Sequence, residues 1–237
     1  MKIPLRSVAI VSALIAPFTC WFSSAAAAKH SVALGAARQV AYSQAGDPAG
    51  AAPAEESLRI RALLVDGVVK EWTTGEAHDV TDRSFVVRRA LRLNDTLPGD
   101  KLSQWVWQRG PWLLVDRSSG RVTALRLPDY DPGVSQVAWF RDYGAYCGIT
   151  ASGKSLYAVV AQVAVRRPVL SKKLSAFDGT NYPRPACAAP EWQRNPMRIT
   201  FHPAGKAPVV FDFVSGSAVL VEDSGDESGE SRVPDAH

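Results

Sequence analysis

Cysteine, histidine and methionine are scarce in this chain, numbering three, four and two among 237 residues. No cysteines are spaced as a C-x-x-C redox motif, and no Cys/His spacing suits zinc. No serine occupies a G-x-S-x-G elbow, and there is neither a phosphate-binding loop nor a Rossmann glycine pattern. The chain is therefore expected to work without a metal or a cofactor. Long hydrophobic runs are missing too. The stretch from Val8 to Phe22 is interrupted by Pro17 and Thr19 and falls short of a comfortable bilayer span.

That run has a different meaning. Lys2 and Arg6 precede it, and Ser23-Ser24-Ala25-Ala26-Ala27-Ala28 follows with the small residues a signal peptidase requires. Residues 1–28 read as a secretory signal peptide cut after Ala28, which predicts a periplasmic or secreted protein with no transmembrane segment in the mature chain. Cys20 follows Pro17-Phe18-Thr19, whereas lipoprotein processing favours Leu and small residues there. No twin arginine precedes the run, so export of an unfolded chain is expected. Such a chain must acquire any cofactor outside the cytoplasm.

The whole chain holds 27 basic and 23 acidic side chains. Removing residues 1–28 takes Lys2 and Arg6 and no acid. The segment from Glu222 onward carries Glu222, Asp223, Asp226, Glu227, Glu230 and Asp235 against Arg232 alone, leaving residues 29–221 with 24 basic and 17 acidic groups. A mildly basic body suits anionic envelope polymers, and no nucleic-acid-binding motif accompanies it. Only Cys147 and Cys187 remain after cleavage. In an oxidising compartment such a pair is expected to form a disulfide. The competing reading makes Cys147 a nucleophile with His78 or His202 as base, but no thiol-protease signature surrounds it.

Residues 29–57 are rich in Ala, Gly, Pro and Ser and read as a flexible leader, with a short helix as the alternative near Ala33, Ala36, Ala37 and Val40. Residues 222–237 read as a disordered acidic tail. Between them, residues 58–221 alternate apolar and polar with a period of two, as in Arg59-Ile60-Arg61-Ala62, Arg88 to Leu93, Ile199 to His202 and Val209 to Phe213. Tyr157 to Val165 is apolar at nearly every position, as a strand covered on both faces would be. Asp66-Gly67, Ser118-Ser119-Gly120, Ser152-Gly153 and Ala204-Gly205 punctuate these runs as hairpin turns. One all-β domain follows, an antiparallel sandwich or open barrel. A propeller-like array of hairpins is the alternative, because Trp107-Gln108-Arg109-Gly110-Pro111 is echoed by Trp192-Gln193-Arg194-Asn195-Pro196.

Chemistry has few places to sit. Trp105, Trp107 and Trp112 could stack on sugar rings with Arg109 holding an anionic substituent, or bury as core. Asp129 and Asp131, in Leu127-Pro128-Asp129-Tyr130-Asp131-Pro132-Gly133, could act as an acid/base pair, share a hard cation such as calcium, for which one D-x-D supplies too few oxygens, or simply shape a turn. His78 beside Asp79, or His202 with Asp212, could supply a general base. Arg59, Arg61, Arg88 and Arg92 are expected on the outer face of neighbouring strands, with Arg166-Arg167 and Lys172-Lys173 as a second basic cluster. The leading expectation is a non-catalytic binding or scaffolding domain of the bacterial envelope that meets an anionic polymer or another envelope protein. The alternatives are a polysaccharide hydrolase using the loop carboxylates and a small subunit of an envelope complex.

Overall fold

A computed structural model describes residues 30–42, 57–132, 134–177, 187–214 and 217–220. The expected signal peptide, most of the leader beyond residue 42 and the acidic tail lie outside the described residues. Within them the protein is all-β, with no helix and three antiparallel sheets, none of them closed.

The first sheet has six strands in chain order: β1 (Val32–Ala41), β2 (Ser57–Val65), β3 (Val68–Asp79), β4 (Ser84–Asn94), β5 (Trp105–Asp116) and β6 (Val122–Ala124). Strand β1 corrects the reading of residues 29–57 as a flexible leader. Its run of Ala and Gly shows no apolar period, yet it pairs with β2 from Val32↔Val65 to Ala41↔Ser57. Arg61 secures it by donating from Nε to the Gly35 carbonyl (2.7 Å) and from Nη2 to the Leu34 carbonyl (3.2 Å). Neighbours specify this strand more than its own side chains do.

Alternation on β2 divides the core. Leu63 packs with Phe85, Val87, Leu113 and Val115 on one face, whereas Leu58 and Ile60 pack with Ala90 and Trp107 on the other. The sheet curls enough for Tyr42, just past β1, to bridge Trp107 in β5. Asp66 and Gly67, both at positive φ, close the β2–β3 hairpin as expected of a two-residue turn.

Strands β7 (Ala138–Phe140), β8 (Tyr143–Ile149), β9 (Ser155–Gln162) and β10 (Leu170–Ala176) form the second sheet, in the order β10-β9-β8-β7. Strands β11 (Cys187–Arg194), β12 (Met197–Pro203), β13 (Val209–Val214) and β14 (Ser217–Leu220) form the third. These two sheets face each other across a shared core of Ala145, Leu156, Ala158, Val160, Ile199, Phe201, Phe211 and Phe213, a sandwich-like arrangement. Cys147 on β8 and Cys187 on β11 are disulfide-bonded within it, both buried. The opposite face of β8 and β9 is covered as well, where Tyr146 and Val159 meet Leu127, Tyr130 and Val137. Of the apolar run from Tyr157 to Val165, 157–161 has the two-sided burial its composition implies, whereas β9 ends at Gln162 and Val165 is exposed in the turn that follows.

The sequence echo is not a structural repeat. Trp107 to Pro111 lies inside β5, whereas Asn195 and Pro196 turn the chain between β11 and β12. A six-stranded sheet followed by two four-stranded ones likewise offers no common unit.

Candidate basic and aromatic cleft

Strand β3 carries the irregularity that makes the site. Thr73 pairs with Arg89 and Ala77 with Val87, so Thr74, Gly75 and Glu76 bulge out of the ladder. Thr73 Oγ1 donates to the Arg61 carbonyl (3.1 Å) and accepts the Gly75 N–H (3.3 Å), tying the bulge to β2. Gly75 is at φ +80°, and a Cβ there would come within 2.7 Å of Arg61 Cδ. Both the backbone and the neighbouring arginine therefore require glycine at this position.

The bulge walls a cleft of ≈ 410 Å³, lined by Leu58, Arg59 and Arg61 from β2, by Thr74, Gly75 and Glu76, and by Arg109 from β5. Among the described lining residues are three guanidinium groups and one carboxylate. Arg61 is oriented by its bonds to β1. Arg109 donates from Nη1 to Tyr42 Oη (3.0 Å) and lies over that ring at 4.9 Å, another product of the sheet's curl. Arg59 is exposed, with no hydrogen bond or ion pair to another described residue. A forked donor held by protein contacts favours planar or tetrahedral anions over water.

Aromatic groups continue the site along β5. Trp107 is buried, edge-on to Trp72 at 5.8 Å, with the Arg38 guanidinium 4.2 Å from the Trp72 ring centre. Trp105 is 47% exposed and lies under Arg92 at 4.7 Å. The pairs Ala90↔Arg109, Arg92↔Trp107 and Asn94↔Trp105 place Trp105, Trp107 and Arg109 on one face, as alternation implies. Trp107 is a core residue there, and Trp105 alone of the three tryptophans is presented to solvent.

The remaining candidates are dispersed. Trp112 is buried against Trp139 of the second sheet, with ring centres 5.1 Å apart. Arg88 corrects the outward face expected for it: only 6% exposed, it donates to the carbonyls of Pro132 and Gly110. Its face of β4 is roofed by the loop that follows β6, so its charge serves the fold. Arg92 is exposed.

Asp129 and Asp131 sit in that same loop and use their backbone. The Asp129 carbonyl accepts Ile149 N–H at 2.8 Å, and the Asp131 carbonyl accepts those of Val134 (3.1 Å) and Ser135 (2.7 Å). No group of three or more His, Cys, Asp or Glu side chains gathers as a metal site among the described residues. The two His–Asp pairings do not form. His78 stacks on Trp139 and its Nε2 lies 2.7 Å from the Arg141 carbonyl, while Asp79 engages Arg117 at 2.6 Å. His202 faces Glu191 at 3.7 Å, while Asp212 engages Arg198 at 2.6 Å. Arg166, Arg167, Lys172 and Lys173 are exposed along the β9–β10 turn and the edge strand β10, far along the chain from the cleft.

Sequence reasoning missed Thr74, Gly75 and Glu76, although Thr-Thr-Gly-Glu inside an apolar strand is a bulge signal. It also missed Tyr42 and Arg38, whose roles depend on sheet curl. No protein-family model matches the chain, and no curated protein or solved structure matches it.

Proposed function

We propose that this is an exported bacterial envelope protein whose β domain binds, without catalysis, a polymer bearing phosphate or carboxylate groups. The observation that carries this reading is the cleft whose described lining includes Arg59, Arg61 and Arg109 beside Glu76. The basic excess of residues 29–221 favours encounter with such a polymer. The signal-like residues 1–28 support export, and the Cys147–Cys187 bond is of the kind an oxidising compartment sustains. Among the described residues no helix is long and apolar enough to cross a membrane.

Titration calorimetry with polyphosphate and with polygalacturonate tests the reading. Binding is expected at low salt and should weaken as salt rises. Arg59→Ser, which removes a side chain with no hydrogen bond or ion pair to another described residue, should weaken it by about 10-fold or more, given ~1.5–3 kcal/mol per hydrogen bond to a charged group. Failure of both polymers to bind at low salt would overturn the proposal.

A further inference from the structure

The loop between β4 and β5 is built inside out. Leu97 is 69% exposed, Leu102 81%, and Trp105 and Leu93 flank them at the surface. The Asn94, Thr96 and Asp100 side chains, by contrast, bond within the loop. The Leu97-Pro98-Gly99-Asp100 turn closes with Asp100 N–H donating to the Leu97 carbonyl at 3.1 Å, and Gly99 takes the positive φ this turn needs. The Asp100 carboxylate accepts the Leu97 N–H at 2.9 Å. Thr96 Oγ1 accepts the Gln104 N–H at 2.8 Å and itself donates to the Asn94 side chain, which also accepts the Thr96 N–H. Asp95 N–H donates to the Gln104 carbonyl at 2.8 Å.

These bonds order the loop in water and also lower the cost of moving its Asp95–Leu97 backbone into a medium that cannot hydrogen-bond. The occupant also follows from size and shape. A hairpin end with four partly exposed apolar side chains falls well short of the roughly 800 Å² per partner of a stable protein interface. A bilayer imposes no such minimum and needs no complementary relief. Charges on the loop balance, with Arg92 and Lys101 against Asp95 and Asp100, so the basic excess of the body supplies attraction to anionic headgroups. Trp105, the first residue of β5, carries the Arg92 guanidinium over its ring, and tryptophan is a residue that partitions to the interface.

We propose that the β4–β5 loop is a membrane-contact element that seats Leu97 and Leu102 in the interfacial layer of an anionic bilayer, with Trp105 and Arg92 among the headgroups. The inference does not rest on the arginine cleft. The test is co-sedimentation of the full chain with vesicles of phosphatidylglycerol and phosphatidylcholine in equal amounts, with brominated lipid as a depth probe. The protein is expected to sediment, and bromine should quench Trp105, the most exposed tryptophan among the described residues; Trp105→Phe should remove most of that quenching. The double variant Leu97→Ser, Leu102→Ser should lose about tenfold or more in vesicle affinity. Its circular dichroism and melting temperature should stay unchanged, because both residues are exposed.

Three results would overturn the inference. One is no sedimentation at low salt. Another is undiminished sedimentation of the double leucine variant. The third is a dimer in sedimentation velocity that the leucine substitutions dissolve, which would make a second copy the occupant. Arg59→Ser separates the two readings, since it should spare vesicle binding while impairing polyanion binding. If Arg59→Ser abolishes vesicle binding and the leucine substitutions spare it, capture of headgroups in the cleft replaces loop insertion.

Discussion

Arg88 and Arg92 stand four positions apart on one strand and carry the same charge, yet only one is available to a ligand. Arg88 is enclosed and bonded to two carbonyls, so Arg88→Ala strands those acceptors along with deleting a cation. We expect it to destabilise the domain by about 2–4 kcal/mol, read as a lowered urea midpoint. Arg92→Ser should change the midpoint by no more than about 0.5 kcal/mol, since its contact is an exposed stack on Trp105. Simple alternation placed both arginines on the same face, and in this it was right. What it could not give is which part of that face lies beneath the Pro132 loop, because burial there is decided by a segment more than forty positions away. The same limit applies to Trp105 and Trp107, which share a face but differ in whether the core reaches them.

At the scale of strands, β1 depends on a few polar anchors. Asp66 Oδ1 accepts the Ser31 N–H at 2.9 Å, its Oδ2 lies 2.8 Å from His30 Nδ1, and its own N–H donates to the Ser31 carbonyl. The His30 bond first, and the Ser31 N–H next, hold the Asp66 carboxyl below the ordinary carboxylate range. A depressed carboxylate stabilises the fold above its unfolded pKa, and that contribution disappears as pH falls through the folded value. Amide exchange at Ser31 and Val32, corrected for intrinsic rates, should therefore accelerate as pH drops below about 4. Asp66→Asn should make exchange fast already at neutral pH and abolish that pH dependence.

Turns were the most legible elements, because Asp66-Gly67, Gly120, Gly153 and Gly205 each need the positive φ that their residue types tolerate. Strands with strict alternation, such as β12 and β13, were legible for the same local reason. β1 was not, since Val-Ala-Leu-Gly-Ala-Ala offers no period and its partner lies beyond residue 56. The cleft was half legible. Arg59, Arg61 and Arg109 stood out as cations, but the bulge that gathers them depends on a mismatch between strands that no single segment contains.

Across the whole molecule, one covalent bond reinforces the packing of the second sheet on the third. Trp192 Nε1 donates to the Ala138 carbonyl at 3.0 Å, and Trp192 and Tyr143 both pack on Phe213, but the Cys147–Cys187 link spans 40 positions at the centre of that core. On the chain-entropy model such a closure contributes about 4 kcal/mol. Cys147→Ser with Cys187→Ser should lower unfolding stability by up to that amount in urea titration, and reductant should do the same to the parent protein but leave the variant unchanged. The first sheet holds to the second through Trp112 on Trp139 and His78 on the Arg141 carbonyl, and to the loop between them through Arg88 on the Pro132 carbonyl.

Each of the three sheets is drawn from consecutive strands, which allows them to assemble in chain order. All described strands of the first sheet lie before residue 125, so that sheet can pair without the rest of the chain. The second sheet then arrives with Cys147 on an apolar face that has no cover. That cover comes with β11 to β13, and Cys187 is the first residue of β11. The segment that carries the missing sulfur is thus the leading edge of the lid, so hiding the apolar face and capturing the waiting thiol become a single late event.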